Sequence, residues 1–121
     1  MPNPVVSWQI LARDPEAVAV FYRDLFGWTL SVDNALRYRE LRSGSQRGID
    51  GGVWPAPPEA PSFVQLFVEV DDVEAYVTRA TAAGAQIVVP VSVLPAGDVM
   101  AVLVDPAGLA FGLRSAAPVP A

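Results

Sequence analysis

The chain has 121 residues, 52% of them hydrophobic and 17% charged, with a formal net charge of −5. That length holds one domain with a core, that composition excludes general disorder, and that charge disfavours nonspecific attraction to phosphate backbones. There is no cysteine and no histidine, and all eight basic residues are arginine, which closes thiolate, imidazole and Schiff-base chemistry. Only carboxylate, hydroxyl, amide and guanidinium groups remain. The apolar runs are interrupted well short of the roughly 18 residues a membrane span needs, and no basic start precedes an apolar signal core. The expectation is a soluble, cytoplasmic chain that binds neither nucleic acid nor membrane.

"VVSWQIL" from Val5 is a strand candidate rich in Val, Ile and Trp. Asp14 then caps a helix, with Pro15 in the first helical position and Glu16 near its positive end. Val18, Phe21, Tyr22, Leu25 and Phe26 recur at helical spacing and predict one apolar stripe. Gly27 stops the helix, and the chain turns at once into "WTLSVD", "LRYRELR" and "GIDGGVW", three further strand candidates. Arg37, Arg39, Arg42 and Arg47 cluster there, read as a solvated hairpin face with Glu40 among the charges rather than an anion site. "PAPPEAPS", with four prolines in eight residues, predicts a stiff extended linker over residues 55–62.

The order then repeats. "FVQLFVEV" is a strand, Asp71 or Asp72 opens a helix that Gly84 stops, and "QIVVPV", "VMAVLVD" and "LAFGLR" are three more strands around the turns "LPAGD" and "DPAG". Aligning Asp14 with Asp72 aligns Glu16 with Glu74 and Ala17 with Ala75, the self-similarity that two copies of one supersecondary unit leave. The tail after residue 114, "SAAPVPA" once Arg114 is passed, carries no structural signal and is expected to be flexible.

"ARDPEAVAVFYRDLFGW", "GGV", "VEVDDVEA" and "VDPAGLAFGL" together make the chain resemble the vicinal oxygen chelate superfamily, which holds glyoxalases, extradiol dioxygenases and bleomycin-resistance proteins. The resemblance runs from Val5 to Arg114. It implies an α+β fold of two βαβββ modules, over residues 4–54 and 63–114, with curled mixed sheets around a central groove. It also implies a homodimer.

Family members that do metal chemistry place ligands on particular strands, and the resemblance carries those positions onto Ser7, Gln65 and Gly112, with a fourth somewhere between Glu40 and Gly52. Serine, glutamine and glycine make a poor set for a divalent transition ion. No metal and no other cofactor is therefore expected, with Glu40 or Asp50 as the only alternative, a weak hard-cation site.

If Ser7 faces the groove, strand alternation adds Val5, Gln9 and Leu11 to that face and turns Val6, Trp8 and Ile10 to the helix. On the fifth strand Phe63, Phe67 and Glu69 join Gln65, while Val64, Leu66, Val68 and Val70 are expected on the second helix; the last strand offers Ala110, Gly112 and Arg114. Gly112 is expected to leave open volume. The candidate ligand-binding residues are thus Ser7, Gln9, Trp54, Gln65, Phe67, Glu69, Gly112 and Arg114. Two functions fit: a metal-free small-molecule binder that sequesters an antibiotic or other natural product, or a metal-independent isomerase, lyase or cyclase using Glu40, Glu69 or Tyr38. A carboxylate in a low-dielectric site can titrate near neutrality, so the second does not require histidine.

Overall fold

The computed structural model describes residues 2–116. Two compact units divide the chain: a first module, Val6–Gln65, and a second that combines the residues up to Val5 with those from Leu66 onward. The boundary falls inside the fifth strand rather than in the proline-rich segment.

The first module contains β1 (Val5–Ala12, its first residue in the other unit), α1 (Pro15–Phe26), β2 (Thr29–Ser31), β3 (Arg39–Arg42) and β4 (Gly51–Pro55). Its strands lie in the order β2-β3-β4-β1, antiparallel except for the parallel pair of β4 with β1. The second contains most of β5 (Phe63–Glu69), α2 (Val73–Ala82), β6 (Gln86–Val93), β7 (Val99–Val104) and β8 (Ala110–Ser115), in the order β6-β7-β8-β5, again with one parallel pair, β8 with β5. Strand, helix and three strands occur twice, as the repeat implied.

Local chemistry sets both helices. Asp14 Oδ1 accepts from Ala17 N at 3.1 Å and Asp72 Oδ1 from Ala75 N at 3.1 Å, so the two aspartates occupy the same capping role. Gly27, at φ 71, closes α1 by donating its N–H to the Arg23 carbonyl at 2.8 Å. Val18, Ala19 and Tyr22 face inward onto Leu41, Val53, Trp8, Ile10, Trp28 and Leu30. The predicted stripe is corrected here: Phe21 and Leu25 are exposed because the sheet sits against the 18–19–22 edge of the helix and leaves the 21–25 edge to solvent, while Phe26, in the last turn, stays largely exposed with its ring against Tyr22 and Trp28. Phe21 touches Tyr22 edge-on at 5.1 Å without entering the core.

α2 buries Val73 and Val77 against Val70, Ala101, Leu103 and Leu113. Val68 packs there as well, but Val64 and Leu66 are exposed, so only the C-terminal half of β5 reaches its helix. β2 and β3 are shorter than predicted, because Asn34 takes over the backbone hydrogen bonds of Tyr38. β6 runs on through Pro90 to Val93, with register breaks on either side of Val89 where proline cannot donate. The segment 55–62 is not uniformly extended: Ala60 N bonds the Pro57 carbonyl at 3.1 Å and Glu59 adopts φ 67, a turn. Ser115 belongs to β8 rather than to a tail, and residues 117–121 lie outside the described residues.

Candidate functional site

In each module the helix covers one sheet face, and strand alternation assigns the polar candidates to the other. In the first module Trp8 and Ile10 pack toward α1, so Ser7, Gln9 and Leu11 occupy the opposite face. The registers extend it: Ser31 pairs with Glu40, Glu40 with Gly52, and Gly52 with Gln9. These four residues form one row across β2, β3, β4 and β1.

Gln65 is buried at 4% exposure and donates its side-chain Nε2 to Gln9 Oε1 at 2.8 Å. An amide pair of this kind satisfies both groups without charge. Two residues along the ladder, on the same face, Leu11 pairs with Trp54, whose ring lies 5.9 Å from that of Tyr38 at a tilt of 47°. The Tyr38 ring covers Gly52 so closely that a β-carbon there would collide with it. Trp54 keeps 38% of its surface exposed, so this wall meets solvent.

The charged candidates are engaged. Arg42 Nη2 pairs with Glu40 Oε2 at 2.8 Å, and Arg39 Nε with Glu16 Oε2 at 2.9 Å on the helix side. Asp50 Oδ1 accepts from Ser43 N at 3.1 Å, which commits it to a loop turn. The solvated-hairpin reading of the arginine cluster accords with these pairs, each worth little in water.

In the second module Phe67, buried, pairs across the ladder with Gly112, and its ring occupies the space above that glycine. The open volume expected at Gly112 is therefore corrected: the glycine admits a ring. Glu69 pairs in register with Arg114, but the guanidinium reaches instead to Asp98, Nη2 to Oδ2 at 3.1 Å, and Glu69 is exposed. A shallow depression of about 350 Å³ opens beside the start of α2 between Asp71, Asp72, Glu74, Val91, Val93 and Val99, none of which the sequence singled out for binding.

The registers also relate the glycines of the two units. Gln9 lies two residues after Ser7 and faces Gly52; Phe67 lies two residues after Gln65 and faces Gly112. Gly52 is thus the counterpart of Gly112. In the first unit Ser7, Gly52 and Gln65 offer one hydroxyl and one amide already bonded to Gln9, and in the second Gly112 offers no side chain at all; a ring lies above each glycine. These residues do not fit a divalent metal ion. Among the described residues no three Asp, Glu, His or Cys side chains gather as a cation site would need.

Sequence reasoning missed Asn34 and Gly52. Asn34 falls between two strand candidates with nothing in the sequence to name its partner, and "GGV" was legible only as a motif. The signal lay in the alternation: a glycine at a sheet-face position makes sense once a ring from elsewhere needs its space.

A family model described as "Glyoxalase-like domain" matches residues 6–114. "Putative glyoxylase CFP32" of Mycobacterium tuberculosis (strain CDC 1551 / Oshkosh) is 29% identical over 113 residues, 91% of this chain and 43% of that protein, and its Mycobacterium bovis counterpart matches equally. The chain thus spans less than half the length of these curated relatives. Among solved structures, hypothetical protein BH1468 from Bacillus halodurans C-125 superposes with a TM-score of 0.68 at 14% identity, covering 100% of this chain and 99% of that one. Methylmalonyl-CoA epimerase from M. tuberculosis gives 0.63 at 19% identity, covering 94% and 88%. The Streptomyces coelicolor epimerase in complex with 2-nitronate-propionyl-CoA gives 0.64 at 16%, covering 98% and 100%. At these identities the solved structures speak to the fold alone.

Proposed function

The chain belongs to the glyoxalase-like domain family and shares the vicinal oxygen chelate fold, and from that premise we propose that it is a metal-free small-molecule-binding protein, sequestering an antibiotic or other natural product. The observation that carries this reading is the pair of glycines, Gly52 and Gly112, at equivalent ladder positions, each beneath an aromatic ring. A protein selected for metal chemistry keeps donors at such positions; one selected to hold an organic molecule gains more from rings and a neutral amide pair. The binding face in the first module is formed by Gln9, Gln65, Tyr38 and Trp54, with Ser7 at its margin. The chain acts as a homodimer in the cytoplasm, which sedimentation and fractionation check. Titration with a bleomycin-type cationic glycopeptide and with planar aromatic compounds, followed by tryptophan fluorescence, tests the reading. Saturable quenching is expected, and a flat response across the panel removes it.

A second reading has its own observation. Glu40 sits half-buried in the row with Gly52 and Gln9, where a carboxylate could exchange a proton with a bound ligand. The solved epimerases of this fold are described with acyl-CoA compounds, which makes a metal-independent isomerase, lyase or cyclase the alternative. Incubation with methylmalonyl-CoA in D2O separates the two: deuterium incorporation lost in Glu40→Gln supports catalysis, and no incorporation by the unmodified protein removes it.

A further inference from the structure

We propose that Asn34 and Gly52 are positioning residues that present Tyr38 and Trp54 as a stacking platform for an aromatic ligand on the helix-free face of the first module. The inference rests on the small-molecule reading above and narrows it to ligands carrying a planar ring.

Tyr38 precedes β3, outside the ladder that would otherwise hold its backbone. Asn34 replaces that ladder. Its Oδ1 accepts from Tyr38 N at 2.7 Å and its Nδ2 donates to Tyr38 O at 2.8 Å, so one side chain reaches both backbone groups of the same residue, and Glu40 N adds a second bond to that carbonyl at 3.0 Å. The turn between them is closed by Arg37 N donating to Asn34 O at 3.0 Å, and Arg37 adopts φ 52. A left-handed arginine costs about 1 kcal/mol or more, so the loop holds this shape against a local penalty.

What the shape achieves is visible at the other end of the side chain. The Tyr38 ring lies over Gly52, where any β-carbon would strike its outer carbons and hydroxyl. From there it stands 5.9 Å from the Trp54 ring, at a tilt of 47°. Trp54 sits one residue beyond Val53, which is fully buried on the helix side, so alternation carries the indole to the opposite face, where it is 38% exposed. An exposed indole braced by a second ring is preformed for stacking and loses little conformational freedom when a ligand arrives. Glu40, beside Gly52 in the row, supplies an acceptor at the edge of the platform.

The test uses proflavine, a planar aromatic cation, with spermidine as a cation lacking rings, and reads affinity by fluorescence and ring geometry by near-ultraviolet circular dichroism. The expected result is proflavine binding by the unmodified protein with spermidine much weaker, and a loss of about threefold to tenfold in Asn34→Ala, from stacking of about 0.5 to 1.5 kcal/mol. The same variant should lose the Tyr38–Trp54 dichroism, and Asn34→Asp, which keeps the acceptor for Tyr38 N, should recover part of both signals. Trp54→Ala, at an exposed position, gives the affinity loss independently should Asn34→Ala prove unstable. Proflavine binding unchanged in both Asn34→Ala and Trp54→Ala overturns the platform while leaving small-molecule binding in place. An unmodified protein that binds neither compound, nor any of the panel above, overturns the small-molecule reading and the platform with it.

Discussion

The two modules solve the same packing problem with different parts. Each brings its last strand alongside its first as a parallel pair, and each places a glycine at the same point of that pair. In the second module the residue directly across the ladder, Phe67, supplies the ring that covers the glycine. In the first module the residue across is Gln9, whose amide is engaged with Gln65, and the ring comes instead from Tyr38 in a loop clamped by Asn34. Phe67 stands on a ladder strand of its own module, whereas Tyr38 stands on a loop whose backbone Asn34 clamps. The difference encloses the ring in the second module and leaves an aromatic pair at the surface in the first, where Trp54 keeps 38% of its area exposed.

Glycine-to-alanine changes break this comparison most directly. Gly51→Ala should cost the most, about 3 kcal/mol, because its β-carbon would meet both the Trp8 carbonyl and the indole, and backbone cannot swing aside. Gly112→Ala should cost about 2 kcal/mol, since Phe67 is buried and has little room to retreat. Gly52→Ala should cost about 1 kcal/mol, because only the outer ring atoms of Tyr38, the far end of a side chain, must give way. Urea denaturation of the three variants checks the order. A Gly52→Ala penalty equal to that of Gly112→Ala would contradict the difference in how the two rings are enclosed.

The amide pair sharpens it further. Gln9→Ala leaves the buried Gln65 amide short of its partner and should cost about 1 to 3 kcal/mol. The double change Gln9→Leu with Gln65→Leu should be close to neutral for stability, since neither position is then left with an unpaired polar group, and it should abolish the polar contribution to ligand binding. A double variant as unstable as the single one would show that the pair serves packing rather than recognition. Smaller still is the pair of helix caps, equivalent in the two modules: Asp14→Ala and Asp72→Ala should each lower stability by about 1 kcal/mol, measured by thermal unfolding.

The caps show why part of this fold was legible in the sequence. Asp14, Pro15 and Gly27 act through bonds within a few residues, so their pattern alone located the helix ends. The inward edge of α1 was not legible in the same way, because Phe21 and Leu25 fall on the same broad apolar stripe as Val18 and Tyr22, and only the sheet decides which edge is covered. The early end of β2 was hidden for a related reason: Asn34 competes for backbone groups with the ladder, and its partner could not be named in advance. Strand alternation did separate Trp8 and Ile10 from Ser7 and Gln9 correctly. The roles of Gly52 and Gly112 stayed out of reach, because they depend on cross-strand register and on a ring from another strand or loop.

The most direct measurement is native mass spectrometry of freshly purified protein, paired with elemental analysis after dialysis against a chelator. A mass increment from an organic compound, with no transition metal retained, is the expected result. Stoichiometric zinc, nickel, manganese or iron surviving the chelator would contradict it, because neither Ser7, Gly52 and Gln65 in the first unit nor Gly112 in the second supplies the donors that such an ion needs.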